Sequence, residues 1–273
     1  MKKLFFLFVI FFISVSCKNE QTKDFEIVYT ANFSSIEKKN ISKISELINN
    51  LSSSNKEDLL LIDSGGFFDD TRNINTFNDI LQFYNNLQYT CIAPSFFDIT
   101  TETFISILNS IKAPKILTNI ELSEKFDTSQ FHKSIILEKS GLRFLIMNIV
   151  DNSKNAVSKT VKKNIPNDIA IKIELLKNQN NYDFIILSTN LEFSKLPNIC
   201  FQFPEIHLIL WSDGFFDLPL PKKNWNDILI VSSNISDNIG RLILSFNYSE
   251  FFNKYSPENF RYKNQLISVK NKL

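Results

Sequence analysis

The run Leu59-Leu60-Leu61-Ile62, followed by Asp63-Ser64-Gly65-Gly66, constrains this chain more than any other stretch. Four consecutive apolar residues without alternation read as a strand buried on both faces, as a parallel sheet covered by helices requires. The acidic residue and the glycine pair then end the strand in a turn. In open α/β sheets that edge is where polar chemistry collects.

The rest of the sequence fits an α/β chain laid out around this strand. Phe25 to Thr30 reads as a preceding strand, and Ile36 to Leu51 as a helix with Ile41, Ile44, Ile48 and Leu51 on one face. Phe77, Ile80, Leu81, Tyr84 and Leu87 predict a second helix, leading into a short strand from Tyr89 to Ala93. Phe104, Ile105, Leu108 and Ile111 predict a third helix, stopped by Pro114. After Lys115 to Asn119 comes a hairpin of Lys133 to Leu137 and Arg143 to Val150, turning at Lys139-Ser140-Gly141. Ile169, Ile173 and Leu176 mark a further helix, and strands follow at Phe184 to Ser188, Ile206 to Leu210, Ile228 to Val231 and Arg241 to Phe246. Helices and strands alternate first and strands dominate later, which predicts a mixed sheet or two packed sheets, with no internal repeat and no interdomain linker.

Lys and Arg number 30 against 29 Asp and Glu, so the formal charge of +1 gives no field that favours a nucleic acid partner. Arg261, Lys263, Lys270 and Lys272 near the C-terminus read as a solvated tail over 251–273. Met1-Lys2-Lys3, the apolar stretch Leu4 to Ile13 and Ser14-Val15-Ser16-Cys17 form a segment too short to span a bilayer, which takes about 20 residues. The segment resembles a bacterial lipoprotein signal peptide, although Ser14 stands where an aliphatic residue is usual. That resemblance implies a signal over 1–16, lipid on Cys17, a tether over 17–24 and a globular domain over 25–250. The expected location is the bacterial cell envelope, periplasmic or surface-exposed, with the membrane as a partner through Cys17. Cys91 and Cys200 lie in apolar, strand-like runs and read as buried thiols rather than a disulfide.

The order of landmarks over residues 25–247 resembles the calcineurin-like metallophosphoesterases, and among them the N-terminal domain of 5'-nucleotidases. Tyr29-Thr30-Ala31-Asn32-Phe33-Ser34-Ser35 occupies the place of His-Thr-Asn-Asp-x-His-Gly, and Asp63-Ser64-Gly65-Gly66 that of Asp-x-Gly-Asp. Ala93-Pro94-Ser95-Phe96-Phe97-Asp98 stands at Gly-Asn-His-Glu-Phe-Asp, agreeing only in its last two residues. Lys115 to Asn119 is similar to a segment ending in Ala-Asn, Asp183 to Thr189 to a strand ending Leu-Ser-His, and Gly240-Arg241-Leu242 to the closing Gly-Arg-Leu. Ile206 to Phe215 parallels Ile-Asp-x-Ile-x-Gly-Gly-His-Ser-His. The resemblance implies two packed mixed β-sheets flanked by helices.

It also implies where a dinuclear site would stand, and there the sequence departs from the family. Asn32 and Ser34 replace the first-strand Asp and His, Gly66 the bridging Asp, and Pro94 and Ser95 the Asn ligand and the His that protonates the leaving group. Later His ligands become Thr189, or Asn190 in the adjacent register, together with Asp213 and Phe215. Two-metal hydrolysis needs a bridging carboxylate and several further oxygen or nitrogen ligands. The expectation is therefore a pseudoenzyme without a cofactor that binds a protein or small-ligand partner; the alternative is an active phosphoesterase holding one divalent metal ion near Asn32, Asp63, Asn190 and Asp213. Asp63 is expected to cap turn amides at Gly65-Gly66. His207 is expected in the core and His132 at a strand edge. Phe67, Phe68, Phe96, Phe97, Trp211, Phe215 and Phe216 are expected near the former metal mouth, lining a core, a pocket or a contact patch.

Overall fold

A computed structural model describes residues 22–32, 38–54, 58–67, 77–151, 158–212, 222–224, 226–232, 238–247 and 260–268. The apolar runs become two sheets. The first contains β1 (Thr22–Thr30), β2 (Leu59–Asp63), β3 (Cys91–Ile92), β4 (Lys115–Ile116), β6 (Phe131–His132), β14 (Asn238–Asn247) and β15 (Phe260–Ser268), in the order β15-β14-β1-β2-β3-β4-β6. The second contains β7 (Ser134–Lys139), β8 (Leu142–Ile149), β10 (Phe184–Thr189), β11 (Leu208–Trp211), β12 (Lys222–Asn224) and β13 (Ile228–Ser232), in the order β12-β13-β11-β10-β8-β7. A small ribbon pairs β5 (Ile120–Leu122) with β9 (Val161–Asn164). The inner strands of each sheet are parallel, and antiparallel strands lie toward the edges, as β14 and β15 in the first sheet and as β7 and β12 in the second.

Side-chain alternation explains why the inner strands are apolar throughout. Leu60 and Ile62 of β2 join Phe25, Ile27, Phe144, Ile146, Phe184 and Ile186 in the core between the sheets. Their neighbours Leu59 and Leu61 face α1 (Lys38–Ser54), α2 (Phe77–Asn86) and α3 (Glu102–Ser110). In the second sheet Leu145, Ile185 and Ile209 face α4 (Asn167–Lys177) and α5 (Leu196–Gln202). Burying each Leu, Ile or Phe contributes roughly 1.5–3 kcal/mol, so a strand filling both cores outweighs any alternating alternative. The result is a helix, sheet, sheet, helix stack with mixed strands, as the sequence predicts.

The family-like closing triplet has a packing cause. The Tyr29 ring lies in register with Gly240 and occupies the space a Cβ would need there. Arg241 grips buried Glu26 with Nε 2.6 Å and Nη2 3.1 Å from its two oxygens, and Leu242 enters the intersheet core.

Several expectations shift. Residues 251–273 do not all trail from the domain, because Phe260–Ser268 is a full strand paired with β14. The segment Ile199-Cys200-Phe201 is helical, in α5, rather than a strand; Cys91 and Cys200 are both free and buried, as read from the sequence. Helix α4 exists, but Ile169, Ile173 and Leu176 are not its core face. Ala170, Ile171 and Leu175 pack inward, and the three predicted residues are 47%, 48% and 62% exposed. The periodicity identifies the helix, while a second apolar stripe one position away wins the sheet.

Candidate functional site

The C-terminal ends of the two sheets meet at one edge. Asn148, at the end of β8, donates through Nδ2 to the carbonyls of Pro94 and Ile116, each at 2.9 Å, and its carbonyl accepts from Thr118 N–H at 3.0 Å. Asn119 repeats the device: its Oδ1 accepts from Val150 N–H at 3.0 Å and its Nδ2 donates to the Val150 carbonyl at 2.8 Å. These amides stitch β3 and β4 of one sheet to β8 of the other.

On this edge the strand ends run on into one knot. Ser64 N–H donates to the Thr30 carbonyl, Asn32 N–H to the Gly65 carbonyl, and Ala93 N–H to the Asp63 carbonyl, at 2.7–2.8 Å. Asn32 sits at φ 58°, and Gly65 and Gly66 at 89° and 82°, a region where a side chain is strained. The turn is also packed from both sides. A Cβ on Gly65 would stand 2.5 Å from Ser95 N, and one on Gly66 would meet Asn32 Oδ1 and come within 2.9 Å of its Cα. Asn32, through both its side chain and its backbone, thus closes the space beside Gly66.

Asp63 is fully buried and faces the helix side of the first sheet. Its Oδ1 accepts from Gly65 N–H at 2.7 Å, as expected for a turn cap, and its Oδ2 accepts from Thr30 Oγ1 at 2.5 Å and Tyr84 Oη at 2.8 Å. Tyr89 Oη lies 3.0 Å from Thr30 Oγ1 and extends the network. Burial pushes the Asp63 pKa from 3.8 to about 7, against the three hydrogen bonds that lower it, with a small further push from the Asp98 carboxylate. A group whose folded pKa lies above its unfolded value stabilises fully below the unfolded value, near 4, and loses that contribution as pH rises through about 7. Stability is therefore expected to fall between pH 5 and 8, by an amount on the order of 3 kcal/mol from this group alone. Asp63→Asn should flatten the slope; urea unfolding at a series of pH values reads both, and an unchanged slope in the variant would refute the assignment.

Asp98 is a site residue that the motif comparison does not single out. It follows the exposed Phe97 in a 3-10 turn over Phe97–Ile99 and is fully buried. Its Oδ2 accepts from Gly66 N–H at 2.9 Å and Ser95 N–H at 2.7 Å, and its Oδ1 from Phe67 N–H at 2.8 Å. One carboxylate thus fixes the glycine turn to the loop after β3. The signal available in the sequence is its agreement with the last position of Gly-Asn-His-Glu-Phe-Asp.

The remaining predicted positions divide. Asn32, Asp63, Gly66, Pro94 and Ser95 come together at the first sheet's edge, with Pro94 buried and the Ser95 hydroxyl buried without a hydrogen-bond partner. Thr189 turns to the helix side of the second sheet, where Oγ1 donates to the Ile149 carbonyl at 2.8 Å. Asn190 Oδ1 accepts from Asp151 N–H at 2.8 Å. Ser34, Asp213, Phe215, Phe68, Phe216 and Cys17 lie outside the described residues. Among the described residues no group of three or more His, Cys, Asp or Glu side chains is arranged to hold a metal ion. The oxygens of Asp63 are occupied by protein donors, so the donor set described at this edge does not fit a divalent centre.

Trp211 is not at the mouth. Strand alternation sends it to the helix side with Ile209, where it meets Phe193 at 5.3 Å and donates Nε1–H to the Leu191 carbonyl at 2.7 Å. Phe67 and Phe96 are buried in the core under α1 to α3, and only Phe97 of the described members is exposed. His207 is buried beside Phe184, accepts Ile185 N–H on Nδ1 at 3.1 Å, and has its pKa pushed down to about 4 by burial. His132 stands exposed on edge strand β6.

No protein-family model matches the chain, and no curated protein matches it. Solved structures do match in fold. A 5'-nucleotidase precursor of Thermus thermophilus superimposes with a TM-score of 0.71 at 13% identity, covering 90% of this chain and 54% of the other. The NAD nucleotidase of Haemophilus influenzae gives 0.70 at 15% identity, covering 90% and 49%. A phosphatase of Mycoplasma pneumoniae gives 0.59 at 10% identity, covering 91% and 95%. The chain thus spans about half the length of the two nucleotidases and has the metallophosphoesterase-like fold of their matched portion.

Proposed function

We propose that this chain is a binding protein built on a 5'-nucleotidase-like scaffold, held at a membrane of the bacterial cell envelope by lipid on Cys17, and without metal-dependent hydrolysis. The observation that carries this reading is the closure of Gly66 against Asn32. A dinuclear phosphoesterase clamps its phosphoryl group between two ions joined by a carboxylate, and at the position where the resemblance puts that carboxylate even a Cβ would meet Asn32 Oδ1 and Cα. The commitment of Asp63 to Thr30, Tyr84 and Gly65 supports the same reading, because those bonds would have to break before it could take a metal. Structural neighbours named as nucleotidases make nucleotides the first ligand class to test.

Purified full-length protein should carry substoichiometric Mn, Zn, Fe and Ca by mass spectrometry and should not hydrolyse 5'-nucleotides or bis-p-nitrophenyl phosphate above the uncatalysed rate. Stoichiometric metal together with turnover would instead establish the rival, a phosphoesterase with an altered centre that draws on Asp213. Nucleotide binding without hydrolysis, measured by calorimetry, would identify the scaffold's ligand.

A further inference from the structure

The exposed apolar stripe on α4 has a defined position relative to the chain's entry into the fold. Ile169, Ile173 and Leu176 are joined by Phe201, 62% exposed at the last turn of α5. A groove of about 640 Å³ between the two helices is lined by Leu175, Leu176, Tyr182 and Phe203. α4 runs into β10 through Tyr182 and Asp183, so Leu176 stands at the N-terminal edge of the second sheet. Phe201 stands at the same edge, since Asn226, in the turn before β13, donates to the Cys200 carbonyl at 2.9 Å. The N-terminal edges of the two sheets coincide: Phe25 at the start of β1 stacks on Phe144 of β8 at 4.5 Å, and Phe144 meets Phe184 of β10 at 5.7 Å. β1 begins at Thr22, five residues after Cys17.

We propose that the α4–α5 edge is a membrane-docking surface that inserts Leu176, Ile173 and Phe201 into the headgroup boundary of the phospholipid bilayer carrying the Cys17 anchor; this rests on the anchor reading above. Five extended residues span at most roughly 18 Å, so an anchor on Cys17 holds its bilayer within that distance of Thr22. That is the sheet edge at which Leu176 and Phe201 stand. The patch favours lipid over a second copy of the chain. Four half-exposed side chains offer a few hundred Å², well below the roughly 800 Å² each partner buries in a standard protein interface. Shallow insertion beside an existing lipid anchor needs far less. Lys172 and Lys177 flank the stripe, and Asp168 and Glu205 line the groove as well, so the contact is apolar in character and insensitive to salt.

The test uses the full chain, made in a host that processes lipoproteins and reconstituted into vesicles of zwitterionic and anionic phospholipid with nitroxide-labelled acyl chains. A thiol fluorophore at Leu176→Cys is compared with one at Glu124→Cys, whose side chain is 83% exposed and follows Asn119 at the opposite edge. Cys91 and Cys200 are buried and do not compete for label. Quenching at position 176 should exceed that at 124 several-fold, be unchanged by salt, and recur with a probe at Phe201→Cys. Equal quenching at both edges in acylated protein overturns the docking surface and leaves the anchor standing. A mass showing no acyl chain on Cys17 overturns both. Concentration-dependent cross-linking through position 176, without quenching, overturns it in favour of a second copy.

Discussion

Gly66→Asp, which puts an aspartate where the sequence resemblance would place a bridging carboxylate, is expected to destabilise the protein by about 3 kcal/mol or more and to create no metal site. A non-glycine residue at φ 82° carries a backbone cost on the order of 1–2 kcal/mol. Its Cβ would also press on Asn32 Oδ1 and stand 2.9 Å from Asn32 Cα, atoms held by the bond from Asn32 N–H to the Gly65 carbonyl. The new carboxylate would further share its surroundings with Asp98, which accepts from Gly66 N–H. Metal binding could offset this loss only through mass action, where a hundredfold excess over Kd contributes about 2.7 kcal/mol. Thermal unfolding with and without Mn²⁺ decides the matter. A melting temperature that rises with Mn²⁺ in the variant, and not in the parent, would mean that the edge can still assemble a centre.

What the sequence discloses and what it hides follow from one distinction. Strand runs such as Leu59 to Ile62 are legible because both faces of an inner strand are apolar, so the pattern survives without knowing the partners. The face of α4 is not legible, because Ile169, Ile173 and Leu176 and the stripe of Ala170, Ile171 and Leu175 are equally good helical periods; only the sheet chooses between them. Trp211 departs from its expected place for a related reason. Proximity to a motif does not say on which side of a strand a residue falls, and the alternation with Leu208 and Leu210 places it away from the intersheet edge. Strand β15 reads as a tail because Arg261 and Lys263 alternate in its sequence like solvated residues, a pattern that an edge strand also shows. At the candidate site Asp63 is readable as a cap from its adjacent glycines. Its partner Tyr84, and Tyr89 one bond further on at Thr30, are not, since apolar-looking aromatics read as core, and these two are core with a hydroxyl aimed at the network around a carboxylate.

Asp98→Ala is expected to cost more than any other single side-chain truncation at this edge, roughly 3–6 kcal/mol, because it leaves three amides facing a void. The Gly66, Phe67 and Ser95 N–H groups all end on this one carboxylate. A domain's total stability is of order 5–15 kcal/mol, so such a loss brings the chain near its unfolding limit at ambient temperature. Asp98→Asn separates the hydrogen bonds from the charge. Its carbonyl oxygen can take the Oδ2 position and keep the Gly66 and Ser95 donors, while its amide nitrogen confronts Phe67 N–H, for an expected loss of about 1–3 kcal/mol. The same variant removes a negative charge that helps hold the Asp63 pKa up, so the pH at which stability falls should move down from about 7. Urea unfolding of both variants across pH tests each point. If Asp98→Ala unfolds like the parent, the carboxylate does not hold the turn; if Asp98→Asn leaves the pH midpoint in place, the two carboxylates are not coupled. A drop for alanine, a smaller drop for asparagine and a lowered midpoint would together show that this edge is organised by Asp63 and Asp98 acting on backbone amides and hydroxyls.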